Sequence, residues 1–153
     1  MRVRLIWVAR TDRGFVEEGV AHYLGRVRRT WNVEEVVVPE EGRGDAAHQQ
    51  RLEGERLLGA LRAGERVVAL DERGKAFGSE DFAGQLGRWR DQGVRQVAFV
   101  VGGSYGHGDA VRQRADLVLS LSAMTFPHQL VRLLLAEQLY RAQQILAGTG
   151  YHH

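Results

Sequence analysis

The sequence predicts an α/β domain of three layers on a mostly parallel sheet. Three observations carry this prediction. Short β-branched runs alternate with helical patterns along the whole chain, glycine and proline punctuate the changes of pattern, and 153 residues without a single Cys suffice for one hydrophobic core. No internal repeat, low-complexity tract or linker divides the chain, so residues 1–153 are expected to form one domain.

The elements follow in order. Val3 to Ala9 is a β-branched and aromatic run, and Thr11-Asp12-Arg13-Gly14 is a turn before a helical pattern from Phe15 to about Arg29. Val33 to Val38 reads as a second strand ended by Pro39, and Glu40 to Asp45 as a charged loop. A polar helix over about Ala46–Leu61 carries Leu57, Leu58 and Leu61 as its apolar stripe. Arg66 to Leu70 is a third strand, followed by a loop over Asp71-Glu72-Arg73-Gly74-Lys75. Ser79, with Glu80 and Asp81 behind it, reads as the N-cap of a helix that runs to about Asp91 and stops at Gly93. Gln96 to Val101 is a continuous apolar strand, and Gly102 to Gly108 a glycine-dense loop. Asp109 to Arg114 is a short helix and Leu117 to Leu121 a fifth strand, and Pro127 suits the first turn of a last helix reaching about Ala147.

Composition narrows the function classes. Twenty-one Lys plus Arg against 19 Asp plus Glu give a formal charge of only +2, and all the basic residues except Lys75 are Arg. The planar guanidinium suits phosphate and stacks on bases, although genomic base composition accounts for such a bias equally well. The lack of Cys excludes disulfide scaffolds, thiolate metal sites and a Cys nucleophile. No apolar run approaches a membrane span and the start of the chain lacks the pattern of a signal peptide, so a soluble, cytoplasmic protein is expected.

In open parallel sheets, ligands sit off the carboxyl ends of the strands. Three segments leave strands there: Leu70-Asp71, the Gly102–Gly108 loop, and Ser122-Ala123-Met124-Thr125-Phe126-Pro127. The glycine loop is neither G-x-G-x-x-G nor G-x-x-x-x-G-K-[ST], which removes the main support for a dinucleotide or a P-loop nucleotide. The six His show no metal-ligand spacing, so no metal is expected, and neither Ser104 nor Ser122 sits in a G-x-S-x-G elbow. His22 and His48 read as solvated helix residues, His107 as a loop residue. From Leu130 to Leu146 the last helix is apolar around more of its circumference than one core face requires, which suggests cover from its own sheet and from a partner; the alternative is a helix slotted into its own chain's core.

The run Leu119-Ser120-Leu121-Ser122-Ala123-Met124-Thr125-Phe126-Pro127-His128-Gln129-Leu130-Val131-Arg132, continuing through Ala136-Glu137-Gln138-Leu139-Tyr140-Arg141-Ala142 and ending in Tyr151-His152, closely resembles the RlmH family. These are SPOUT-class methyltransferases acting on 23S ribosomal RNA. Val101-Gly102-Gly103-Ser104 and Leu70-Asp71 with Gly74-Lys75 match the family's earlier motifs in order, so the resemblance covers essentially the whole chain.

The resemblance implies a C-terminal trefoil knot, a topology that the usual connection rules would never suggest. It implies S-adenosylmethionine as methyl donor, held by Leu70, Gly102, Leu121, Ser122, Ala123, Met124, Thr125 and Phe126, and a homodimer. The implied substrate is N3 of a pseudouridine in helix 69 of 23S rRNA, on the assembled ribosome. His128, Tyr151 and His152 are candidates for the neighbourhood of the transferred methyl, since a His titrates in the useful range and a Tyr can stack on a base. The chain departs from the family in ending with His153, where Arg or Lys is usual. Two other readings stay open: a non-catalytic RNA-binding or ribosome-associated module on the same fold, and an α/β enzyme for another nucleotide, which leaves Ser122–Pro127 unexplained.

Overall fold

The computed structural model describes residues 1–153. The chain runs β1 (Arg2–Val8), α1 (Phe15–Val27), β2 (Asn32–Val38), α2 (Ala46–Gly59), β3 (Arg66–Ala76), α3 (Ser79–Asp91), β4 (Gln96–Val101), α4 (Asp109–Arg114), β5 (Leu117–Ser120) and α5 (His128–Ala147). All five strands pair in parallel, in the order β2-β1-β4-β3-β5.

Strand alternation divides the core in two. Val3, Leu5 and Trp7 of β1 face α1, α3 and α5 together with Val97, Phe99 and Val101 of β4. Ile6 and Val8 point the other way, with Val67, Ala69, Ala98 and Val100, toward Leu57 of α2 and Val111 of α4. Strands buried on both faces read as continuous apolar runs, which is why β1, β3 and β4 stand out in the sequence. β2 is an edge strand, and its exposed Glu34 and Glu35 discourage pairing with another chain.

Three local expectations need correction. β3 does not end at Leu70: Asp71–Gly74 bulge out, and the strand resumes at Lys75 opposite Leu119. Gly74 makes this possible, because a Cβ there would lie 2.5 Å from the Val118 carbonyl oxygen. The N-cap of α3 is Gly78, and the Ser79 hydroxyl instead donates to Gln138 Oε1 of α5 at 2.7 Å. Pro127 is the N-cap of α5 and lies outside its first turn.

The wide apolar face of α5 is largely covered within the chain. The helix packs on the sheet between α1 and α3, burying Leu135, Ala136, Leu139 and Ala142. Gly19 of α1 has no room for a side chain against Leu133, and a Cβ on Gly87 of α3 would sit 3.0 Å from Leu146 Cδ2, so small residues set both close approaches. Leu130, Val131, Leu133 and Leu134 remain partly exposed. No helix is long and apolar enough to cross a membrane.

The first turns of α5 also clamp the end of β1. Arg132 is wholly buried and donates to the carbonyl oxygens of Val8 and Ala9 and to Thr11 Oγ1, with its guanidinium 4.9 Å from the centroid of the Trp7 ring. It has no carboxylate partner, and burial brings its pKa down to about 10. Ala9 is held in a left-handed conformation at φ 65°. Gln129 completes the clamp, accepting from the Asp12 amide at 2.9 Å and donating to the Arg10 carbonyl at 3.2 Å.

Candidate functional site

The carboxyl ends of β3, β4 and β5 converge on one cavity of about 480 Å³, within the range that small-molecule sites occupy. The β3 bulge supplies Leu70, Asp71, Glu72 and Arg73, the glycine loop supplies Gly102–His107, and the segment after β5 supplies Leu121, Ser122, Met124, Thr125 and Phe126. His128 and Val131 close it from α5. Of the residues expected to hold a cofactor, all line this cavity except Ala123, which stands exposed between Ser122 and Met124. A second, mostly apolar hollow of about 310 Å³ shares Leu119, Leu121 and Phe126 with the first and extends toward Phe77, Phe82 and Leu134.

The glycine loop is a tight turn rather than a flexible flap. The Gly106 amide donates to the Gly103 carbonyl at 3.0 Å, and Gly106 takes φ +70°, a conformation that side chains resist. From the α2 side, Gln50 Nε2 donates to the Tyr105 carbonyl at 2.8 Å. A Cβ on Gly103 would lie 2.7 Å from Glu53 Oε1, so both glycines of the Gly102-Gly103 pair are required by close neighbours. Burial pushes the pKa of Glu53 upward, against the Glu41 amide that its other oxygen accepts.

His107 lies in the glycine loop, as the sequence reads, but it is closed off from solvent. Its ring is buried, and Nε2 lies 3.0 Å from the Val100 carbonyl oxygen. A carbonyl only accepts, so Nε2 carries the proton and the unpartnered Nδ1 is bare. Burial pushes the pKa of this imidazole down, which keeps it neutral. The His107 carbonyl in turn accepts from Arg73 and Arg112. Both guanidiniums also meet Asp71: Arg73 Nε at 3.3 Å and Arg112 Nη1 at 3.3 Å. Burial pushes Asp71 upward, but the Arg73 amide and the two guanidiniums outweigh it and hold the carboxyl below its usual range. Asp71, Arg73, His107 and Arg112 thus fasten the β3 bulge to the glycine loop.

The third wall is pinned in a similar way. Ser120 Oγ donates to the Ser122 carbonyl at 2.8 Å, and Ser122 Oγ accepts the Met124 amide at 3.0 Å. Thr125 Oγ1 donates to Glu72 Oε2, linking this segment to the β3 bulge. His128 follows at the start of α5. Burial and the Arg132 cation push its pKa down, against the pull of Asp12 and Glu40, so a neutral imidazole borders the cavity at pH 7.

Tyr151 and His152 lie elsewhere in the chain. The Tyr151 hydroxyl donates to Glu137 Oε1 at 3.2 Å, and its ring packs edge-on against Tyr140 with centroids 4.7 Å apart. Burial, then the Glu137 carboxylate, push its pKa up. Arg141 spans Glu137 at 2.7 Å and His152 Nδ1 at 3.0 Å. Glu137 follows His128 on α5 by nine residues, about 14 Å of helix, and neither Tyr151 nor His152 lines the cavity of its own chain. The sequence gives no sign of the Asp71, Arg73, Arg112 and His107 network, whose members are up to 41 residues apart.

Known proteins resemble this chain over its full length. A family model described as a predicted SPOUT methyltransferase matches residues 1–152. A protein of Geotalea uraniireducens named Ribosomal RNA large subunit methyltransferase H is 42% identical over 153 residues, covering 100% of both chains. One of the same name from Paramagnetospirillum magneticum is 48% identical, covering 99% of each. The crystal structure of a probable methyltransferase from Bordetella pertussis Tohama I shares the fold, with a TM-score of 0.60 at 19% identity over 92% of this chain and 95% of that one.

Proposed function

The chain belongs to the SPOUT methyltransferase family, and on that premise we propose that it methylates N3 of a pseudouridine in helix 69 of 23S rRNA, on the assembled ribosome. The broader activity, S-adenosylmethionine-dependent methylation of large-subunit rRNA, rests on the full-length relatives that carry that name. The single observation that carries the reading is the cavity itself, where three strand ends meet at a backbone-rich wall and Gly102 and Gly103 exclude side chains.

The residues present fit the donor. The cavity of about 480 Å³ with its apolar annex matches a molecule that combines a charged chain with a heterocycle. Leu70, Gly102, Leu121, Ser122, Met124, Thr125 and Phe126 would hold it, largely through backbone, and Ala123 contributes its position in the turn. When bound, S-adenosylmethionine supplies an electrophilic methyl on a sulfonium centre.

What the protein contributes is position. Transfer to a ring nitrogen is an in-line displacement, so the glycine turn and the Ser122–Phe126 segment act by being fixed before the reactants arrive. The base must lose the N3 proton, to solvent or to a side chain, and His128, neutral and bordering the cavity, is the candidate in this chain proposed to accept it. Asp71 is committed to Arg73 and Arg112, and its charge serves the architecture of the loop.

The working unit is proposed to be a homodimer with a C-terminal trefoil knot, acting in the cytoplasm where ribosomes are. Phe15, 71% exposed at the start of α1, and the partly exposed Leu130 and Leu134 of α5 leave apolar surface for a second copy. Neither Tyr151 nor His152 lines the cavity of its own chain, so in this reading the tail serves a base across such a dimer. Calorimetric titration with S-adenosylmethionine tests the reading. Saturable binding is expected, and its absence in folded protein would leave a non-catalytic RNA-binding module as the function of this fold.

A further inference from the structure

We propose that Tyr105 and Met124 form a clamp at the rim of the cavity that receives a nucleobase of the RNA, with Tyr105 as its stacking platform. The inference rests on the RNA-methylating function proposed above and adds the residues that seat the substrate.

Four large hydrophobic side chains stand out in solvent: Phe15, Val37, Tyr105 at 49% and Met124 at 74%. Single exposed apolar residues are ordinary. Two of these four, however, line the same cavity from different strand-end loops, Tyr105 after β4 and Met124 after β5. Tyr105 is also unlike the other tyrosines. Tyr23 and Tyr151 each pack against Tyr140, whereas the Tyr105 ring has no aromatic neighbour.

The backbone beneath it is nevertheless rigid. The Gly103–Gly106 turn is closed by its own hydrogen bond, and Gln50 holds the Tyr105 carbonyl. The same division holds for Met124, whose amide is fixed to Ser122 Oγ while its side chain is free. A planar ring on a fixed turn is a preorganised stacking surface, and an unbranched thioether adapts to whatever lies against it. Every base offers a π-face to such a surface.

The rim carries both signs of charge, Asp71 and Glu72 beside Arg73, so it is polar and no seat for an apolar protein partner. Arg73 lines the cavity with its side chain 61% exposed; it uses Nε and Nη2 on Asp71 and His107, and Nη1 has no partner in the chain. A guanidinium edge beside an exposed aromatic suits a phosphate next to an unstacked base. A base in a folded helix must leave its stack to reach a buried donor, and the clamp gives the extruded ring a surface in exchange.

The test uses full-length protein with Tyr105→Ala, Tyr105→Leu, Tyr105→Phe and Met124→Ala. Transfer of labelled methyl to large-subunit particles gives kcat and KM, calorimetry gives affinity for S-adenosylmethionine, and thermal unfolding checks the fold. Tyr105→Ala is expected to raise KM for the particles on the order of 10- to 100-fold, at unchanged donor affinity and melting temperature. Tyr105→Phe keeps the π-face and should restore wild-type KM, whereas Tyr105→Leu keeps only bulk and should not. Met124→Ala should produce a smaller rise.

An unchanged KM in Tyr105→Ala overturns the proposal. A parallel loss of donor affinity also overturns it, by assigning the ring to the donor pocket, and so does a shift in sedimentation without a change in KM, by assigning it to a subunit contact. Wild-type protein that methylates no ribosomal particle would overturn the proposed function itself, a result distinct from a Tyr105 variant that matches an active wild type.

Discussion

Gly102 packs so closely on Gly106 that a Cβ at position 102 would sit 2.9 Å from the Gly106 carbonyl carbon. A branched side chain at 102 therefore meets the backbone of its own loop before it meets any ligand.

Gly102→Val should push Gly106 outward and open the Gly103–Gly106 turn. S-adenosylmethionine affinity is expected to fall at least tenfold, with destabilisation of about 1–3 kcal/mol and a sheet that still forms. Calorimetry and urea unfolding measure the two effects. Unchanged affinity in a folded variant would place the donor outside this cavity.

His107 gives a pH dependence whose direction is fixed by its burial. The folded-state pKa lies below the unfolded value of about 6.5, so its contribution to stability is complete above that value. As pH falls, the unfolded chain takes up a proton that the folded chain refuses, and stability is lost until the pH passes the folded pKa. One such group contributes a slope of at most about 1.4 kcal/mol per pH unit. His128 shifts in the same direction, so His107→Leu should flatten the loss of stability between pH 7 and pH 5 without abolishing it. Equal slopes in urea titrations of the two proteins would contradict the buried neutral imidazole.

Arg132→Met removes the donors that satisfy the Val8 and Ala9 carbonyls, while relieving the burial of an unpaired cation. A buried acceptor on Val8 and a half-buried one on Ala9, left without partners, outweigh that relief, and a loss of about 2 kcal/mol is expected in urea unfolding. A neutral result would show that the β1 terminus does not depend on this clamp.

Deleting Tyr151–His153 should abolish methyl transfer while leaving donor affinity within about twofold of wild type, since none of these residues lines the cavity. The lost Tyr140 packing and Glu137 hydrogen bond should cost about 1–2 kcal/mol of stability. Sedimentation equilibrium of the intact chain at micromolar concentration should show a dimer. A folded monomer with full activity would remove the reason for placing the tail across a subunit boundary.

The strands and the strand ends that line the cavity were legible in the sequence for a physical reason. β1, β3 and β4 are buried on both faces, so their residues form apolar runs, and parallel topology then puts Leu70, Gly102 and Leu121 at one edge. The return of β3 at Lys75 was not legible, because it depends on Gly74 passing the Val118 carbonyl rather than on local preference. Nor was the burial of His107, whose glycine-rich neighbourhood looks like an open loop until Arg73 and Arg112 close over its carbonyl. The width of the α5 apolar face was read correctly, yet α1 and α3 account for much of it through the close approaches at Gly19 and Gly87.

Incorporation of labelled methyl from S-adenosylmethionine, into ribosomes carrying the pseudouridine and into a naked helix 69 oligonucleotide, tests the central claim most directly. A chain with a net charge of only +2 is expected to hold isolated RNA weakly, so contacts with the assembled particle should add to what the site itself grips. Methylation of ribosomes or large subunits at N3 of that pseudouridine, with little on the oligonucleotide, is the predicted result. Equal rates on both substrates, or label at a different nucleotide, would contradict it.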